Sequence, residues 1–328
     1  MGGTREDSGE GESEMNCRAL VAIGVVAATA CGTATRGAEL SAAPEAAAEF
    51  AIQLHRPVQI GEQAKQHITA TFDHSLRTFS GQTMLSEQIN KVAIAFVADT
   101  KVIDVDAVGI ATKTELAVES CTVDSGAGPM PLFSPGVVLT VTRGGDPAIV
   151  SQNGTLPRAT AQWLRMVLPT GPATMTDDDI FGSTAPRVVG AVWPVNADFM
   201  ANELGAVGLR IRPDRIIGQA TLAAVDVVAG RQALDIRVEV SATGVEPDQK
   251  PADAVVERGE LHTELTSWYP VDPSHMRLKD SATATVELVL VHPATSVSKD
   301  AKPGETLRTE IIARQHREST YAAVSPES

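Results

Sequence analysis

Alternation of apolar and polar residues with a period of two is the main pattern of the chain beyond residue 50. In 234–241, Leu, Ile and two Val alternate with Asp, Arg, Glu and Ser, which predicts a strand with one buried and one wet face. Similar runs predict strands at 65–73, 92–98, 101–108, 110–120, 137–143, 216–228, 255–268, 283–292 and 306–314. Half-wet strands are typical of antiparallel pairing, so we expect a mainly β fold of curved antiparallel sheets, half-barrel or sandwich-like.

Two short helices are predicted among these strands. Residues 158–168 have helical periodicity, and their apolar stripe consists of Ala159, Trp163, Met166 and Val167. Asn196 is placed to cap a second helix that ends before Gly205. We expect both helices to pack an apolar stripe against the sheet. Glycine-containing turns at 144–146 and 229–231 lie where hairpins would close.

The two halves of this β region can be overlaid. Pro57–Gly61 is similar to Pro186–Gly190, and the strand pattern of 105–119 is similar to that of 225–239 at nearly the same spacing. The overlay indicates an internal duplication. The alternative is chance, because alternating strands resemble one another.

The amino terminus has the pattern of an export signal that starts at Met15. Residues 1–14 are polar and acidic, whereas Arg18 gives a basic start to the apolar run Ala19–Ala30. These twelve residues match a signal-peptide core and are shorter than the ~20 that span a bilayer. Met15 is then an alternative start of the chain.

The apolar run ends Ala-Thr-Ala-Cys-Gly at residues 28–32. This ending resembles the lipobox of bacterial lipoproteins, with Ala28 where Leu is commonest. The resemblance implies cleavage before Cys31, acylation of Cys31 and a membrane anchor in the cell envelope, at the outer membrane facing the periplasm or at the cell surface. The alternatives are an ordinary secretory signal and a buried apolar helix.

A second resemblance covers the β region. The motif Pro-x-x-Val-Gly-x-x-Trp-x-Val at 186–195, with Tyr-Pro-Val-Asp-Pro at 269–273, is similar to stretches of uncharacterised bacterial envelope lipoproteins. This likeness implies an exported β protein and brings no catalytic residues. In architecture, the chain also resembles lipoprotein-carrier half-barrels, in which a curved sheet and covering helices shelter an acyl chain.

These patterns divide the chain into five parts. They are a disordered extension plus lipoprotein signal at 1–30, a flexible tether at 31–49, an N-terminal β half at 50–183, a C-terminal β half at 184–318 and a disordered tail at 319–328.

The amino-acid composition is typical of a globular protein and disfavours one class of function. Hydrophobic residues make up 43% and charged residues 21% of the chain, as in ordinary globular proteins. The net charge of −14 and the aromatic content of 4% disfavour a nucleic-acid binder, which needs a positive surface and stacking platforms.

Several histidines are candidates for a metal site or a catalytic site. His67 and His74 are seven residues apart, which is no metal-site spacing, and we expect both to be exposed on a strand. His262 shares a strand face with Glu260 and Glu264; a solvated face is favoured over an acid–base or metal cluster.

The remaining candidates are an acidic run, a cysteine and two tryptophans. The run at 177–179 lacks the spacing of a calcium loop, so a capping or solvated turn is favoured. Cys121 has no basic neighbour in sequence and is expected to be an inert thiol. Trp193 and Trp268 are expected either to close the end of the core or to line a pocket. Nucleophile-elbow, phosphate-loop and dinucleotide motifs are missing from the sequence.

We therefore expect a non-catalytic, lipid-anchored envelope protein without cofactor or metal. Its partners would be the membrane, through Cys31, and a lipid or other apolar ligand, or another envelope protein. The alternatives are a structural or assembly-partner lipoprotein and an envelope hydrolase.

Overall fold

The structure, a computed structural model, describes residues 48–172, 175–251, 253–296 and 304–323. Its strands are β1 (Glu49–Phe50), β2 (Gln63–Ser80), β3 (Thr83–Val105), β4 (Ala111–Asp124), β5 (Met130–Pro131), β6 (Val138–Thr142), β7 (Ile149–Ser151), β8 (Arg187–Val188), β9 (Val192–Pro194), β10 (Leu209–Arg210), β11 (Ile216–Val228), β12 (Arg231–Thr243), β13 (Glu246–Pro247), β14 (Val255–Pro270), β15 (Lys279–Pro293) and β16 (Thr306–Ala323). Its α-helices are α1 (Arg158–Arg165), α2 (Asp177–Phe181) and α3 (Ala197–Ala206), and Pro213–Arg215 and Ala294–Ser296 are short 3-10 helices.

One twelve-stranded antiparallel sheet dominates the fold. Its order is β7-β6-β4-β3-β2-β16-β15-β14-β12-β11-β9, and β5 pairs with β4. Strands β1 and β8 form one small additional pair, and β10 and β13 form another. No helix in the described part of the chain has the length and apolar content of a membrane span.

The prediction of a mainly β fold with curved antiparallel strands and short packing helices is confirmed. Helices α1 and α3 lie where the sequence predicts them, and the Asn196 side chain accepts a hydrogen bond from the Phe199 N–H as the cap of α3. Both predicted halves contribute to the same sheet, because β16 lies between β2 and β15.

The carboxyl-terminal boundary of the sequence analysis needs correction. Residues 319–323, expected in a disordered tail, are the last part of β16 and pair with Ala64–Ile68 of β2. Ser319 is buried, and the Tyr321 hydroxyl donates a hydrogen bond to Asp280. The pairing of β16 with β2 joins strands from opposite ends of the chain, so local sequence does not reveal it.

One face of the sheet is buried, and we call it the inner face. Register places Ile68 of β2 opposite Phe96 of β3, and both side chains are buried there. The inner face carries two apolar clusters, one under α1 around β2–β7 and one under α2 and α3 around β9–β15. Each large apolar side chain buried in this way contributes about 1.5–3 kcal/mol.

Two charged side chains near opposite ends of the sheet act on each other. Arg143 follows β6 near one end, whereas Glu203 lies on α3, which packs on β11 near the other end. Burial lowers the pKa of Arg143 and the Glu203 charge opposes that shift. Burial likewise raises the pKa of Glu203 against the effect of Arg143. The charges of Arg143 and Glu203 therefore act on each other across the inner face.

The overlaid segments make equivalent backbone contacts. The Gly61 N–H donates to the carbonyl of Val102, whose own N–H donates to Glu62. In the second half, the Gly190 N–H donates to Leu222, whose N–H donates to Ala191. Both glycines have positive φ, which glycine adopts at low cost. Each pair of hydrogen bonds joins the segment to the first long strand of a β3–β4 or β11–β12 hairpin.

Candidate functional site

A cavity of about 390 Å³ lies between α1 and the inner face. We call it the α1 cavity. Its floor is formed by two rows that cross three strands: Gln315, Phe72 and Val92 lie opposite one another, and so do Ala313, His74 and Asn90. The helix supplies Ala159, Gln162, Trp163 and Met166, and the other lining residues are Asp73, Gln88 and Arg314.

The walls of the α1 cavity are largely apolar because of helix and strand periodicity. Ala159, Trp163 and Met166 are spaced by three or four residues, so they share one face of the helical turn and its end. Leu164 of the same helix is fully buried in the core beside the cavity. Leu164 thus anchors the helix in the core, while Trp163 and Met166 pack against the same cluster and also border the cavity.

Two polar side chains on the floor have buried atoms without a hydrogen-bond partner in the described part of the chain. Gln315 is 4% exposed, and among the described residues nothing is hydrogen-bonded to its amide oxygen or its amide nitrogen. The Nε2 atom of His74 is likewise buried without a partner from the described residues. Leaving a buried polar group unsatisfied costs about 1–3 kcal/mol. These atoms have almost no exposed surface, so a molecule in the cavity would reach them only after a rotation of the Gln315 or His74 side chain.

The position of His74 corrects the sequence analysis. His67 is exposed on the outer face of β2, as expected, but the seven-residue spacing places His74 on the opposite, inner face. Burial lowers the pKa of His74, and the charge of neighbouring Asp73 opposes this shift. The histidine on the cavity floor is therefore neutral at pH 7.

A cluster of charged and tyrosine side chains closes one end of the inner face. The hydroxyl of Tyr269 donates to Asp177 at 2.8 Å, and Arg277 forms ion pairs with Asp177 at 3.2 Å and Asp280 at 3.1 Å. The Arg277 guanidinium also lies 5.7 Å from the ring centres of Tyr269 and Tyr321. Because its hydrogen-bonding groups serve one another, the cluster is structural.

The acidic run of α2 has internal roles rather than a free surface. Thr176 and Asp179 form a capping box at the start of the helix, which confirms a capping turn. Asp178 accepts hydrogen bonds from the backbone N–H groups of Leu54 and His55 at 2.7 and 3.0 Å. No cluster of three or more metal-ligating side chains occurs among the described residues.

Trp193 and Trp268 lie on different faces. Trp193 is buried in the core under α2 and α3, where its indole N–H donates to the Phe181 carbonyl at 2.8 Å. It also borders a cleft of about 510 Å³ that contains Asp178 and Asp179, whose carboxylates are already hydrogen-bonded. Trp268 is half-buried, with the Lys279 ammonium 5.1 Å from its ring centre. Neither tryptophan lines the α1 cavity.

His262 belongs to a hydrogen-bonded row on the outer face. Its Nδ1 lies 3.1 Å from the Ser241 hydroxyl and its Nε2 lies 3.3 Å from Glu264. The row resembles a catalytic triad in residue type, but these strands pair on both sides, so their amides are used in the sheet. It therefore offers no oxyanion site, and the exposed His262 and Glu264 form a solvated face.

Cys121 is the one cysteine within the described residues. Cys121 is buried under α1, and burial raises the pKa of its thiol to about 12, so it is unreactive at neutral pH. Cys31, the predicted lipidation site, lies outside the described residues.

The sequence analysis identified the α1 stripe but missed the cavity floor. A signal was present: His74 and Gln315 continue the inward register of Ile68, Phe72 and Ile311. Polar residues in a buried register can mark a site. Recognising this signal required the pairing of β2 with β16, which are near opposite ends of the chain.

No protein-family model and no curated protein sequence matches the chain. Among solved structures, a lipovitellin chain from a study of lipid–protein interactions is 10% identical, with a TM-score of 0.26 and coverage of 82% of this chain. This chain spans about a quarter of that lipovitellin chain (26%). DynF of the dynemicin biosynthesis pathway of Micromonospora chersina is 10% identical over 89% of this chain and 94% of its own, with a TM-score of 0.18.

A LolA superfamily protein from Nitrosomonas europaea is 9% identical over 79% of this chain and 87% of its own, with a TM-score of 0.10. Likenesses at these TM-scores identify neither a family nor a ligand.

Proposed function

We propose that this chain binds a molecule with an apolar body and an uncharged polar end in the α1 cavity, and that it does so as a lipid-anchored protein of the cell envelope. The observation that carries the binding proposal is that Gln315 and His74, whose buried polar atoms have no hydrogen-bond partner among the described residues, lie on the floor of a cavity with a mostly apolar exposed surface. The anchor and location rest on the sequence around Cys31.

The size and walls of the cavity favour an apolar body. Ligand cavities usually measure about 300–1,000 Å³ and combine apolar walls with a few placed polar groups. The α1 cavity has about 390 Å³, enough for a short acyl chain or a ring system. Burial of apolar ligand surface against Trp163, Met166 and Phe72 supplies about 25 cal/mol per Å².

The polar floor favours an uncharged end group. The Gln315 amide can donate and accept, and neutral His74 can do either at its Nε2. Asp73 and Arg314 also border the cavity, but they stand opposite each other in the outward register, and Asp73 pairs with Lys91 at 2.9 Å. A buried carboxylate or phosphate would lack a counter-charge on this floor, which is costly. A hydroxyl, ester or amide would be matched.

Binding is favoured over catalysis by the same residues. Among the described residues, the lining of the cavity contains no serine, threonine, cysteine or lysine that could act as a nucleophile. Its one carboxylate, Asp73, is paired with Lys91 in the outward register. The Ser241–His262–Glu264 row lies on the opposite face of the sheet.

The direct test compares two ligands of equal chain length. We expect monodecanoylglycerol, which is uncharged, to displace the fluorescent dye N-phenyl-1-naphthylamine from the exported chain at lower concentration than decanoate at pH 8. Ala313→Trp, which fills the cavity floor, should abolish dye and ligand binding. Ala93→Trp, on the exposed outer face of β3, is the matched control and should bind normally.

Two results would contradict the proposal. Equal binding by the Ala313→Trp and Ala93→Trp variants would remove the α1 cavity as the site. Stronger displacement by decanoate would show that the end group is charged. Native mass spectrometry of the purified exported chain, before and after organic extraction, identifies any molecule that is already bound.

Gln315→Leu separates ligand recognition from stability. Leucine has a similar volume and removes two unsatisfied polar atoms, so we expect the free energy of unfolding of the ligand-free chain to rise by about 1 kcal/mol. The same variant should lose the preference for monodecanoylglycerol while still binding the dye. Urea unfolding and dye displacement measure the two effects. A marked loss of stability would instead mean that the amide has a structural partner.

A further inference from the structure

Strand β3 has a long edge that no described strand covers. It pairs with β2 from Thr83 to Lys101, but its pairing with β4 begins only at Ala93. On the side away from β2, residues 83–92 therefore pair with no described strand. All of 83–91 are exposed, including Met84, Leu85 and Ile89, which are 52%, 57% and 53% exposed. An exposed apolar edge is a template for another strand.

The direction of the backbone groups along this edge follows from the ladder. Val102 exchanges its hydrogen bonds with the chain at Gly61 and Glu62, on the β2 side. Backbone groups of successive residues in a strand point to opposite edges, and the β2–β3 register is unbroken from Lys101 back to Ser86. Even-numbered residues therefore face β2. The N–H and C=O groups of Glu87, Ile89 and Lys91 face the free edge.

We infer that this edge pairs with the same edge of a second copy of the chain, antiparallel and centred on Ile89. The two-fold axis then passes between the two Ile89 residues, and each exchanges both backbone hydrogen bonds with the other. Each copy contributes seven residues, 86–92, which fit within the free edge because the pairing of β3 with β4 begins only at Ala93. The two sheets become one continuous sheet through the dimer.

Charge complementarity selects this occupant and this register. In the register centred on Ile89, Glu87 of each copy lies directly opposite Lys91 of the other copy. Both side chains are on the outer face together with Ile89, so two ion pairs flank an apolar contact. A register centred on Glu87 would place two carboxylates opposite each other, which is unfavourable.

The pairs that these two charges already make do not prevent the contact. Glu87 lies 2.7 Å from Arg77, and Lys91 lies 2.9 Å from Asp73, all on the outer face. Exposed pairs of this kind contribute about 0–1 kcal/mol, so sharing a charge with the second copy costs little.

Thiol cross-linking tests the register. The experiment uses the full chain with the substitutions Cys17→Ser and Cys31→Ser. Buried Cys121 is then its one remaining native thiol. In this background, Ile89→Cys should give a covalent dimer with a short bismaleimide, because opposite Cα atoms are only about 5.5 Å apart. Glu87→Cys alone should remain monomeric on the gel, because its two copies would be about 13 Å apart along the strands.

A mixture provides the matched control. Glu87→Cys chains mixed with Lys91→Cys chains should cross-link to each other, although neither cross-links alone. Light scattering of the background chain should show a doubling of molar mass as concentration rises. Ile89→Pro should remove this doubling because it deletes an N–H that faces only the free edge.

Three outcomes would overturn the inference. A monomeric mass at every concentration tested would exclude the dimer. Equal cross-linking at positions 87, 89 and 91 would exclude this register. A monomer in which the Ile89 amide is protected from hydrogen exchange would show that another part of the same chain covers the edge.

Discussion

Gln315 and His74 occupy the inward register of their strands, where neighbouring Ile311 and Phe72 are apolar. At the residue scale, the α1 cavity is marked by the coincidence of such polar side chains with a mostly apolar exposed lining. Burying the Gln315 amide without a partner has a free-energy cost, and an apolar side chain there would pack at least as well. The two polar residues would therefore lower the stability of the empty chain, and under the proposed function they would form hydrogen bonds with the ligand.

His74 has a second measurable effect, on the pH dependence of stability. Burial lowers its pKa in the folded chain below the ordinary value of 6.5, against the opposing charge of Asp73. In the window between the lowered pKa and about pH 6.5, the unfolded chain binds more protons than the folded chain. The contribution of His74 to stability is therefore fully present above that window and is lost as the pH falls through it.

We expect His74→Gln to flatten the decline in the free energy of unfolding between about pH 7.5 and pH 5. His67→Gln, on the exposed face of the same strand, is the control and should leave the decline unchanged. Urea unfolding at several pH values measures both. Parallel profiles for the parent chain and His74→Gln would show that the histidine is equally hydrated in both states.

At the scale of the elements, the segment between β1 and β2 connects distant parts of the sheet. Asp178 of α2 holds its backbone at Leu54 and His55. Further along, the Val58 N–H donates to the Gly109 carbonyl in the β3–β4 turn, 2.9 Å away. The segment therefore ties the helix that covers one half of the sheet to a hairpin of the other half.

Gly109→Ala should weaken this connection. Gly109 has a φ of +81°, and a Cβ atom there would lie 2.4 Å from the Cβ of Pro57. Gly81 is the control, since it has a φ of +58° with no atom within 4 Å of an added Cβ. Both alanines have a backbone cost of about 1–2 kcal/mol, but only Gly109→Ala must also displace Pro57.

We expect Gly109→Ala to lower the free energy of unfolding by about 1–3 kcal/mol more than Gly81→Ala. Amide exchange at Val58 should increase only in the Gly109→Ala variant. Equal losses of stability in the two variants would show that the contact with Pro57 contributes nothing.

Some strands and helices could be predicted from the sequence and others could not. Strands with one wet face, such as β12, were predictable from alternation alone, and α1 and α3 were predictable from periodicity and capping. The outer part of β3 was not, because residues 83–91 are exposed on both faces and carry no alternation. The cavity floor was missed for a different reason: β2 and β16 pair across almost the whole chain, and alternation does not specify which strands become neighbours.

At the scale of the whole molecule, an acidic β body would have to be held at a membrane. The net charge of −14 opposes close approach to an anionic lipid surface, so membrane attachment would depend on a covalent anchor. Cys31 is the predicted anchor, and the first described strand begins at Glu49. An anchor of this kind would place the α1 cavity near lipid without inserting the sheet.

Cys31→Ser tests this arrangement. We expect the parent chain in the membrane fraction of an exporting bacterium and the Cys31→Ser variant in the soluble fraction, because one acylated residue would be the attachment. Cys17→Ser changes a cysteine inside the predicted signal and should stay with the membrane like the parent. A Cys31→Ser chain that stays in the membrane at full length would indicate an uncleaved signal as the anchor. Retention after cleavage would show that acylation is not what holds the protein, and attachment would then have to come from the folded body itself.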